Sequence, residues 1–170
     1  MSRELLILRH AKSAWDTDAV TDFDRSLAGR GRKAAPRVGR FLLEQNLLPD
    51  YVVSSPAARA KETVILVCEK LDFDPARIIW DDRIYEAWTS SLVDVLRECP
   101  VHAKRVLIAG HNPGLESLLQ YLCRDRVPFP YDGKLMPTAA VAHLQIHSEW
   151  GKLDQGVAGL VSITRARDLP

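Results

Sequence analysis

Leu5-Leu6-Ile7-Leu8-Arg9-His10 is the stretch from which the fold can be predicted. It joins a short run of four apolar residues to two basic ones. An uninterrupted apolar run of this length, ended by polar residues, is typical of a buried strand. We therefore predict a strand over residues 5–8, with Arg9 and His10 at its carboxyl end.

Segments with strand character alternate with helical segments along the rest of the chain. Apolar residues recur at helical spacing in four segments, and short apolar or alternating runs mark five further strands. The helical segments are 34–42, 64–71, 92–99 and 115–122. The strands are 51–53, 77–80, 105–109, 140–147 and 157–163. This order predicts an α/β fold, a three-layer α/β/α sandwich around a mixed, mostly parallel central sheet.

Two prolines carry information on where helices begin. Pro36 falls within the first helical segment. Since proline disrupts a helix interior, we expect it in the first turn or at a kink. Asn112 and Pro113 precede the last helical segment, and we expect Asn112 to be its N-cap and Pro113 its first residue.

Length and charge limit the classes of function. The chain has 170 residues, which at ~100–200 residues per domain predicts a single domain over residues 1–170. Lys and Arg number 23 and Asp and Glu number 22, a balance that argues against nucleic-acid binding. No apolar stretch approaches ~20 residues, so we expect no membrane span.

The cysteines indicate the redox environment. Cys68, Cys99 and Cys123 lie far apart and form no C-x-x-C pair. This pattern is typical of reduced core cysteines and not of a disulfide framework or a zinc site. The first residues also lack a signal-peptide core and a cleavage site. We therefore expect a cytoplasmic protein with no metal and no cofactor.

Three of the predicted strands end in residues suited to binding an anion. The first ends in Arg9-His10, the second in Ser54-Ser55-Pro56 with Arg59 in the next helix, and the fourth in Gly110-His111-Asn112. Ligands of parallel sheets bind at the carboxyl ends of the strands, so these groups are expected to converge. Guanidiniums and helix N-termini bind phosphate, and imidazole is a nucleophile toward phosphorus. The residues predict a phosphate pocket that contains a histidine.

Several segments match the motifs of one known family in order. Arg9-His10-Ala11 resembles an R-H-G/A signature, and Ser54-Ser55-Pro56-Ala57-Ala58-Arg59-Ala60-Lys61-Glu62-Thr63 resembles S-S-P-x-x-R-A-x-x-T. Further matches are Asp24-Arg25-Ser26-Leu27 with Gly31, the segment 110–116 and the segment 137–140. These motifs resemble the histidine phosphatase superfamily (phosphoglycerate-mutase-like), with a closer fit to the SixA-like phosphohistidine phosphatases. The resemblance spans about residues 5–146.

The resemblance implies roles for four residues. His10 would be the nucleophile and would become a transient phosphohistidine. Arg9 and Arg59 would bind the phosphoryl oxygens, and His111 would donate a hydrogen bond to them. Phosphoryl transfer depends mostly on positioning and electrostatic stabilisation, which suits this set. Because His10 must be neutral at the attacking nitrogen, we expect its other nitrogen to donate to a backbone carbonyl.

Other residues near these motifs have open roles. Ser13 and Asn112 are further candidates for binding phosphate. Asp16 stands where relatives often carry Asn, and because a carboxylate repels phosphate we expect it to turn away or to pair with an arginine. Lys12 is either a solvated charge or a contact to the rim of the phosphate site.

Glu86 is the best candidate for a general acid that protonates an alkoxide leaving group. Its alternative is a solvent-facing loop carboxylate. A phosphoramidate has imidazole as its leaving group and needs less help from an acid, so a SixA-like enzyme can dispense with this residue.

The expected function is that of a metal-independent phosphatase with a covalent phosphohistidine intermediate, acting on phosphohistidine of a protein. A small-molecule phosphate ester phosphatase or mutase of the same superfamily is one alternative. A non-catalytic phosphate-binding regulatory module is an alternative from another class. The expected partner is thus a phosphorylated protein or a small phosphate ester, and the oligomeric state stays open.

A run of basic residues is not part of these motifs. It consists of Arg30, Arg32, Lys33, Arg37 and Arg40. Such a run is usually a solvated helix face, and the alternative is a surface that attracts an acidic protein partner.

Overall fold

The computed structural model describes residues 2–124 and 126–170. Within them the strands are β1 (Arg3–Arg9), β2 (Tyr51–Ser54), β3 (Ile79–Trp80), β4 (Arg105–Gly110), β5 (Val141–Ile146) and β6 (Ala158–Thr164). The α-helices are α1 (Gly29–Glu44), α2 (Ala58–Lys70), α3 (Thr89–Arg97) and α4 (Gly114–Leu122). Short 3-10 turns connect several of them, among them Asp22–Asp24 and Asp82–Ile84.

All six strands form one sheet in the order β3-β2-β4-β1-β5-β6. Strands β1 to β4 are mutually parallel, whereas β5 is antiparallel to both β1 and β6. The predicted mixed, mostly parallel sheet is therefore confirmed. In the register of β1 and β4, Arg9 lies opposite Gly110, which brings the residues after both strands to the same edge.

Helices cover both faces of the sheet because the strand residues are apolar on both sides. Leu5 and Ile7 face a core shared with α3 and α4, while Leu6 and Leu8 face a core shared with α1 and α2. All four of these side chains are fully buried. Burial of a large aliphatic side chain contributes about 1.5–3 kcal/mol, so β1 anchors both layers.

Helix α1 begins earlier than the apolar spacing indicated. Its first turns are polar, and Pro36 lies in the interior of the helix instead of in its first turn. The expectation of a first-turn position for Pro36 is wrong because the residues that open the helix, from Gly29 to Lys33, carry no apolar signal. Without an N–H, Pro36 leaves the carbonyl of Arg32 without its helical hydrogen bond.

The expected cap of α4 is also wrong. The helix begins at Gly114, and Pro113, not Asn112, occupies the N-cap position. The Asn112 side chain instead donates from Nδ2 to Glu116 Oε2 and to the Met136 carbonyl, each at 2.9 Å. The carboxylate of Glu116, in the first turn of α4, and the carbonyl of Met136, from a later segment, thus bind the amide, which does not cap the helix.

The three cysteines are buried and free. Burial raises the pKa of the Cys68 thiol to about 12, and burial together with the Glu98 charge raises that of Cys99 to about 12. These thiols are therefore protonated. In the described part of the chain, none of the helices has the length and hydropathy that crossing a bilayer requires.

Gly31 allows α1 to approach the loop that follows His10. A Cβ atom at this position would overlap the main-chain oxygen of Lys12, which is backbone and cannot rotate away. We expect Gly31→Ala to lower the free energy of unfolding by about 3 kcal/mol. Gly29→Ala is the matched control, since a Cβ at Gly29 meets nothing within 4 Å, and it should change stability by about 1 kcal/mol or less. Urea denaturation measures both, and equal effects would contradict the close approach.

Candidate active site

His10 lies immediately after the central strand β1. Its main-chain N–H donates to the Gly110 carbonyl at 3.0 Å, and its carbonyl accepts from Ala139 N at 3.0 Å. Its imidazole is 7% exposed, and ring Nδ1 lies 2.7 Å from the Ala11 carbonyl oxygen. Because a carbonyl only accepts, Nδ1 carries the proton and Nε2 carries the lone pair.

The surroundings of His10 keep it neutral. Burial lowers its pKa to about 4, and the charges of Arg9, Arg59 and Arg25 act in the same direction. The hydrogen bond to the Ala11 carbonyl opposes this shift in part. At neutral pH the ring therefore presents an unprotonated Nε2 among three guanidinium groups.

His111 follows β4 and faces His10. The two ring centroids are 5.3 Å apart with the planes tilted by 52°. His111 Nε2 lies 2.8 Å from Ser55 Oγ, while Nδ1 is buried and has no hydrogen-bond partner among the described residues. Burial is the largest cause that lowers the pKa of His111 to about 3, and His10 and Arg59 add to it.

Ser55 explains how a neutral His111 can present a proton on Nδ1. Its Oγ accepts a hydrogen bond from Ala57 N at 3.2 Å. Its own hydroxyl proton is then available for His111 Nε2. In that arrangement Nδ1 bears the hydrogen and remains a donor without a partner.

Arg59 lies in the first turn of α2 and is 6% exposed. Its two terminal nitrogens donate to Asp22, one to the main-chain oxygen at 2.8 Å and one to Oδ2 at 3.0 Å. Thr63 ties the same turn to the residue after His10, since its Oγ1 donates to the Arg59 carbonyl and accepts from Ala11 N. A guanidinium has five N–H donors, so three remain for an anion.

Asp22 is the centre of a network that the sequence did not reveal. Besides Arg59, it accepts from Arg25 Nη2 at Oδ1 (3.2 Å) and from the Tyr85 hydroxyl at Oδ2 (2.7 Å). The Tyr85 hydrogen bond, followed by Arg59, lowers the pKa of Asp22 to about 2. The carboxylate is thus ionised and holds two guanidiniums and a phenol in place.

Ser13 contacts the second of these guanidiniums. It is buried, and its Oγ accepts a hydrogen bond from Arg25 Nη1. The Arg25 guanidinium also lies 3.9 Å from the ring centroid of Trp15, whose side chain is 76% exposed. Arg25 is therefore fixed by an acid, a hydroxyl and an aromatic face before any ligand arrives.

Arg9 and Asn112 meet at one main-chain oxygen. Arg9 Nη1 donates to the Met136 carbonyl at 3.0 Å, and this carbonyl also accepts from Asn112. Glu116 Oε2 binds both Asn112 Nδ2 and Met136 N, each at 2.9 Å. Burial lowers the pKa of Arg9, while the charge of Glu116 counteracts this effect. The amide of Asn112 is thereby engaged in holding the 136 segment.

An open cavity of ≈ 420 Å³ adjoins this cluster, and we call it the catalytic cavity. Its lining includes Asp22, Arg59, Tyr85, Glu86, Trp88, His111 and Asn112. Glu86 is exposed and makes no hydrogen bond with any described residue. Trp88, which also lines this cavity, is 82% exposed. Glu86 and Asp22 are the carboxylates among the lining residues.

His10, Arg9 and Ser13 are not among the lining residues of this cavity, and two further candidates, Asp16 and Lys12, also lie outside it. Asp16 is exposed and forms no ion pair with an arginine among the described residues. Lys12 is exposed and lines a different cavity.

The charges of the site suit an oxyanion more than a cation. Arg9, Arg25 and Arg59 surround His10, whereas Asp22 and Glu116 are the acids that contact the cluster. In residues 2–124 and 126–170, no three His, Cys, Asp or Glu side chains lie close enough together to hold a metal ion. The planar N–H groups of a guanidinium match the geometry of phosphate oxygens.

The sequence motifs located four of these groups, and the structure brings them together. His10, Arg9, Arg59 and His111 share the sheet edge that the strand order predicted. The sequence assigned no role to Asp22, Tyr85, Ser55 or Glu116, although Ser55 and Glu116 stand within matched motifs. Arg25 stood in a matched motif without a role, and that was the available signal for its neighbour Asp22.

Comparisons with known proteins show which family and which solved structures this chain resembles. A family model described as the histidine phosphatase superfamily (branch 1) matches residues 5–91. An uncharacterized protein of Mycobacterium tuberculosis (strain ATCC 25618 / H37Rv) is 30% identical over 158 residues, which cover 91% of this chain and 96% of that protein. A 2,3-bisphosphoglycerate-dependent phosphoglycerate mutase of Arthrobacter sp. (strain FB24) is 35% identical over 74 residues, or 42% of this chain and 30% of the mutase.

A solved structure is similar over nearly the whole chain. SixA of Nakamurella multipartitia, which carries the name of a phosphohistidine phosphatase, has a TM-score of 0.83 to this chain at 26% identity. The match covers 97% of this chain and 96% of that one.

Proposed function

The chain belongs to the histidine phosphatase superfamily, branch 1, and from this we propose that it removes phosphate from phosphohistidine on a protein, with His10 as the covalent nucleophile. The family and the structural neighbours make it a phosphatase or mutase enzyme. One observation carries the proposal: the hydrogen bond from His10 Nδ1 to the Ala11 carbonyl leaves Nε2 unprotonated beside three guanidiniums.

In the first step His10 Nε2 attacks the phosphorus of the bound phosphoryl group. A P–N bond to His10 forms while the P–N bond to the substrate imidazole breaks. The departing imidazole nitrogen takes a proton from solvent and leaves as neutral histidine. The low pKa of His10 supports this step, because an imidazole that resists protonation keeps its lone pair available.

In the second step water attacks the phosphoryl group on His10. The bond between phosphorus and Nε2 breaks, inorganic phosphate departs with the oxygen of the water, and the released proton passes to solvent. His10 returns to the tautomer in which it began, since Nδ1 keeps its proton on the Ala11 carbonyl throughout.

The remaining side chains bind and stabilise the phosphoryl oxygens. Arg9 and Arg59 supply guanidinium N–H groups, and His111 supplies an N–H from the nitrogen that lacks a partner. Preorganised donors of this kind stabilise the charge that develops on the oxygens in the transition state. Ser13 and Asn112 act through Arg25 and through the Met136 carbonyl, respectively, and so serve as positioning residues.

Two observations favour phosphohistidine of a protein as the substrate. The similar SixA structure spans almost the entire chain. The exposed rings of Trp15 and Trp88 leave apolar surface beside the site for a protein to cover. The buried free cysteines also support a cytoplasmic location, where thiols stay reduced.

A second candidate, a small phosphate ester as substrate, is favoured by Glu86. An alkoxide is a poor leaving group and requires a proton donor. Asp22 is ionised, with its pKa at about 2, and is unsuited to this task. Glu86 lines the same cavity and is the carboxyl group left to perform it.

Glu86→Gln separates the two candidates. We expect wild-type protein to hydrolyse phosphoimidazole in the presence of EDTA, and the variant to keep this activity within about threefold. Any activity on glucose 6-phosphate should be weak and should fall by about 100-fold in the variant. Phosphate release measures both reactions.

The control is Glu69→Gln, which removes an exposed carboxylate on α2 far along the helix from the site. It should change neither activity. Faster hydrolysis of the sugar phosphate than of phosphoimidazole, with loss of both in Glu86→Gln, would favour the ester phosphatase. Loss of activity in EDTA would contradict a reaction without metal.

A further inference from the structure

A second cavity, of ≈ 340 Å³, is lined mainly by basic side chains, and we call it the basic cavity. One wall carries Lys12 and three residues of α1, namely Arg30, Lys33 and Arg37. The three helix residues are spaced i, i+3 and i+7, which places them on one face of α1. They belong to the basic run whose role the sequence left open.

The rest of the lining adds the basic residues Lys134, Arg165 and Arg167. Asp132 pairs with Arg165 at 2.8 Å and with Arg167 at 3.3 Å, and Asp168 also lies near Arg165. Within the described residues, the other five basic side chains of the cavity form no ion pair. The protein as a whole has a net charge of +1, so this concentration of positive charge is local.

The basic cavity and the catalytic cavity both adjoin the segment that carries His10. Lys12 follows His10 by two residues, and Thr138 precedes Ala139, whose N–H binds the His10 carbonyl. The main chain at Lys12 is held in turn, because its carbonyl accepts from Ala28 N at 2.9 Å. A protein that places a phosphohistidine beside His10 therefore has part of its surface near the basic cavity.

We propose that the basic cavity binds an acidic segment of the phosphorylated protein substrate while the phosphohistidine occupies the catalytic cavity. This inference rests on the proposed function and names the chemistry of its partner. Carboxylates of the partner would pair with the five cations of the cavity that form no ion pair among the described residues. Since this contact is remote from the reacting phosphorus, it is expressed in KM and in salt dependence more than in kcat.

The test uses two synthetic phosphohistidine peptides, one with the phosphohistidine flanked by glutamates and one with glutamines in their place. Wild-type protein should have the lower KM for the acidic peptide, and salt should abolish the preference. The double variant Lys33→Gln/Arg37→Gln should raise the KM for the acidic peptide roughly fivefold. The kcat, the KM for the neutral peptide and the rate with phosphoimidazole should stay unchanged.

The matched control removes two positive charges elsewhere, in Arg40→Gln/Lys104→Gln. It should leave every constant near the wild-type value. An equal rise in the KM for the acidic peptide in both double variants would overturn the proposal, since it would then reflect net charge alone. Tripolyphosphate serves as a small polyanionic probe of the cavity. If Lys33→Gln/Arg37→Gln loses binding of tripolyphosphate while its KM for the acidic peptide stays unchanged, the proposal is also overturned, in favour of a small-molecule site.

A separate measurement distinguishes this inference from the proposed function. The Glu-flanked peptide with unphosphorylated histidine should bind the wild type more tightly than it binds Lys33→Gln/Arg37→Gln, as measured by calorimetry. If that binding is present but phosphoimidazole is not hydrolysed, the proposed function fails and the basic cavity stands. If phosphoimidazole is hydrolysed and this difference in binding is absent, the proposed function stands and the inference about the basic cavity fails.

Discussion

His10→Ala is expected to lower kcat/KM for phosphoimidazole by about 10⁴-fold or more, because the variant has no group that can accept the phosphoryl. The neighbouring guanidiniums would still bind the anion, so affinity for inorganic phosphate should remain. Brief incubation of wild-type protein with ³²P-labelled phosphoimidazole should yield an acid-labile phosphoprotein, and the variant should yield none.

The variant His102→Ala removes an exposed imidazole far from the site and serves as the control. Circular dichroism should show that all three proteins are folded. Activity of His10→Ala above about a hundredth of the wild-type value would contradict covalent catalysis by this residue. If wild type and variant bind phosphate equally and neither turns over substrate, the chain is a binding module.

Arg59→Ala should lower kcat/KM by about 10²–10³-fold, which is the usual effect of losing one preorganised donor to a developing charge. The physical reason lies in the network around Asp22. Arg59 is oriented by two hydrogen bonds from its terminal nitrogens to Asp22, and its remaining N–H groups are free to bind phosphate. Phosphate release under steady-state conditions measures the loss.

Arg59→Lys tests whether geometry or charge alone matters. Lysine keeps the positive charge but cannot bind two oxygens in parallel, so we expect it to recover at most about a tenth of the wild-type activity. Arg32→Ala is the matched control, because the Arg32 side chain is 52% exposed and pairs with Glu62 at 3.5 Å. Full activity of Arg59→Lys would show that a point charge suffices.

Much of this site could be predicted because strand ends converge in a parallel sheet. Once residues 5–8 and 105–109 are recognised as parallel strands, His10 and His111 must leave the sheet at the same edge. Their ring centroids, 5.3 Å apart, follow from that pairing. The residue types at the strand ends predicted a phosphate site, and the parallel strands predicted that these residues lie close together.

The parts that could not be predicted depend on loops. Asp22 and Tyr85 lie in segments with no hydrophobic periodicity, and their meeting at 2.7 Å depends on how two loops fold over the sheet edge. No local pattern in either loop encodes that contact. The cap at Asn112 was mispredicted for a related reason, since its amide is drawn to Glu116 and to Met136, which lies 24 residues later in the chain.

The burial of Cys68, Cys99 and Cys123 has a consequence for how this protein responds to peroxide. Hydrogen peroxide attacks thiolates, and phosphatases that use a thiolate nucleophile lose activity when that sulfur becomes a sulfenic acid. Here the thiols are protonated and enclosed, and the proposed nucleophile is a nitrogen. We therefore expect the phosphatase activity of this protein to persist at peroxide concentrations that inactivate phosphatases with a thiolate nucleophile.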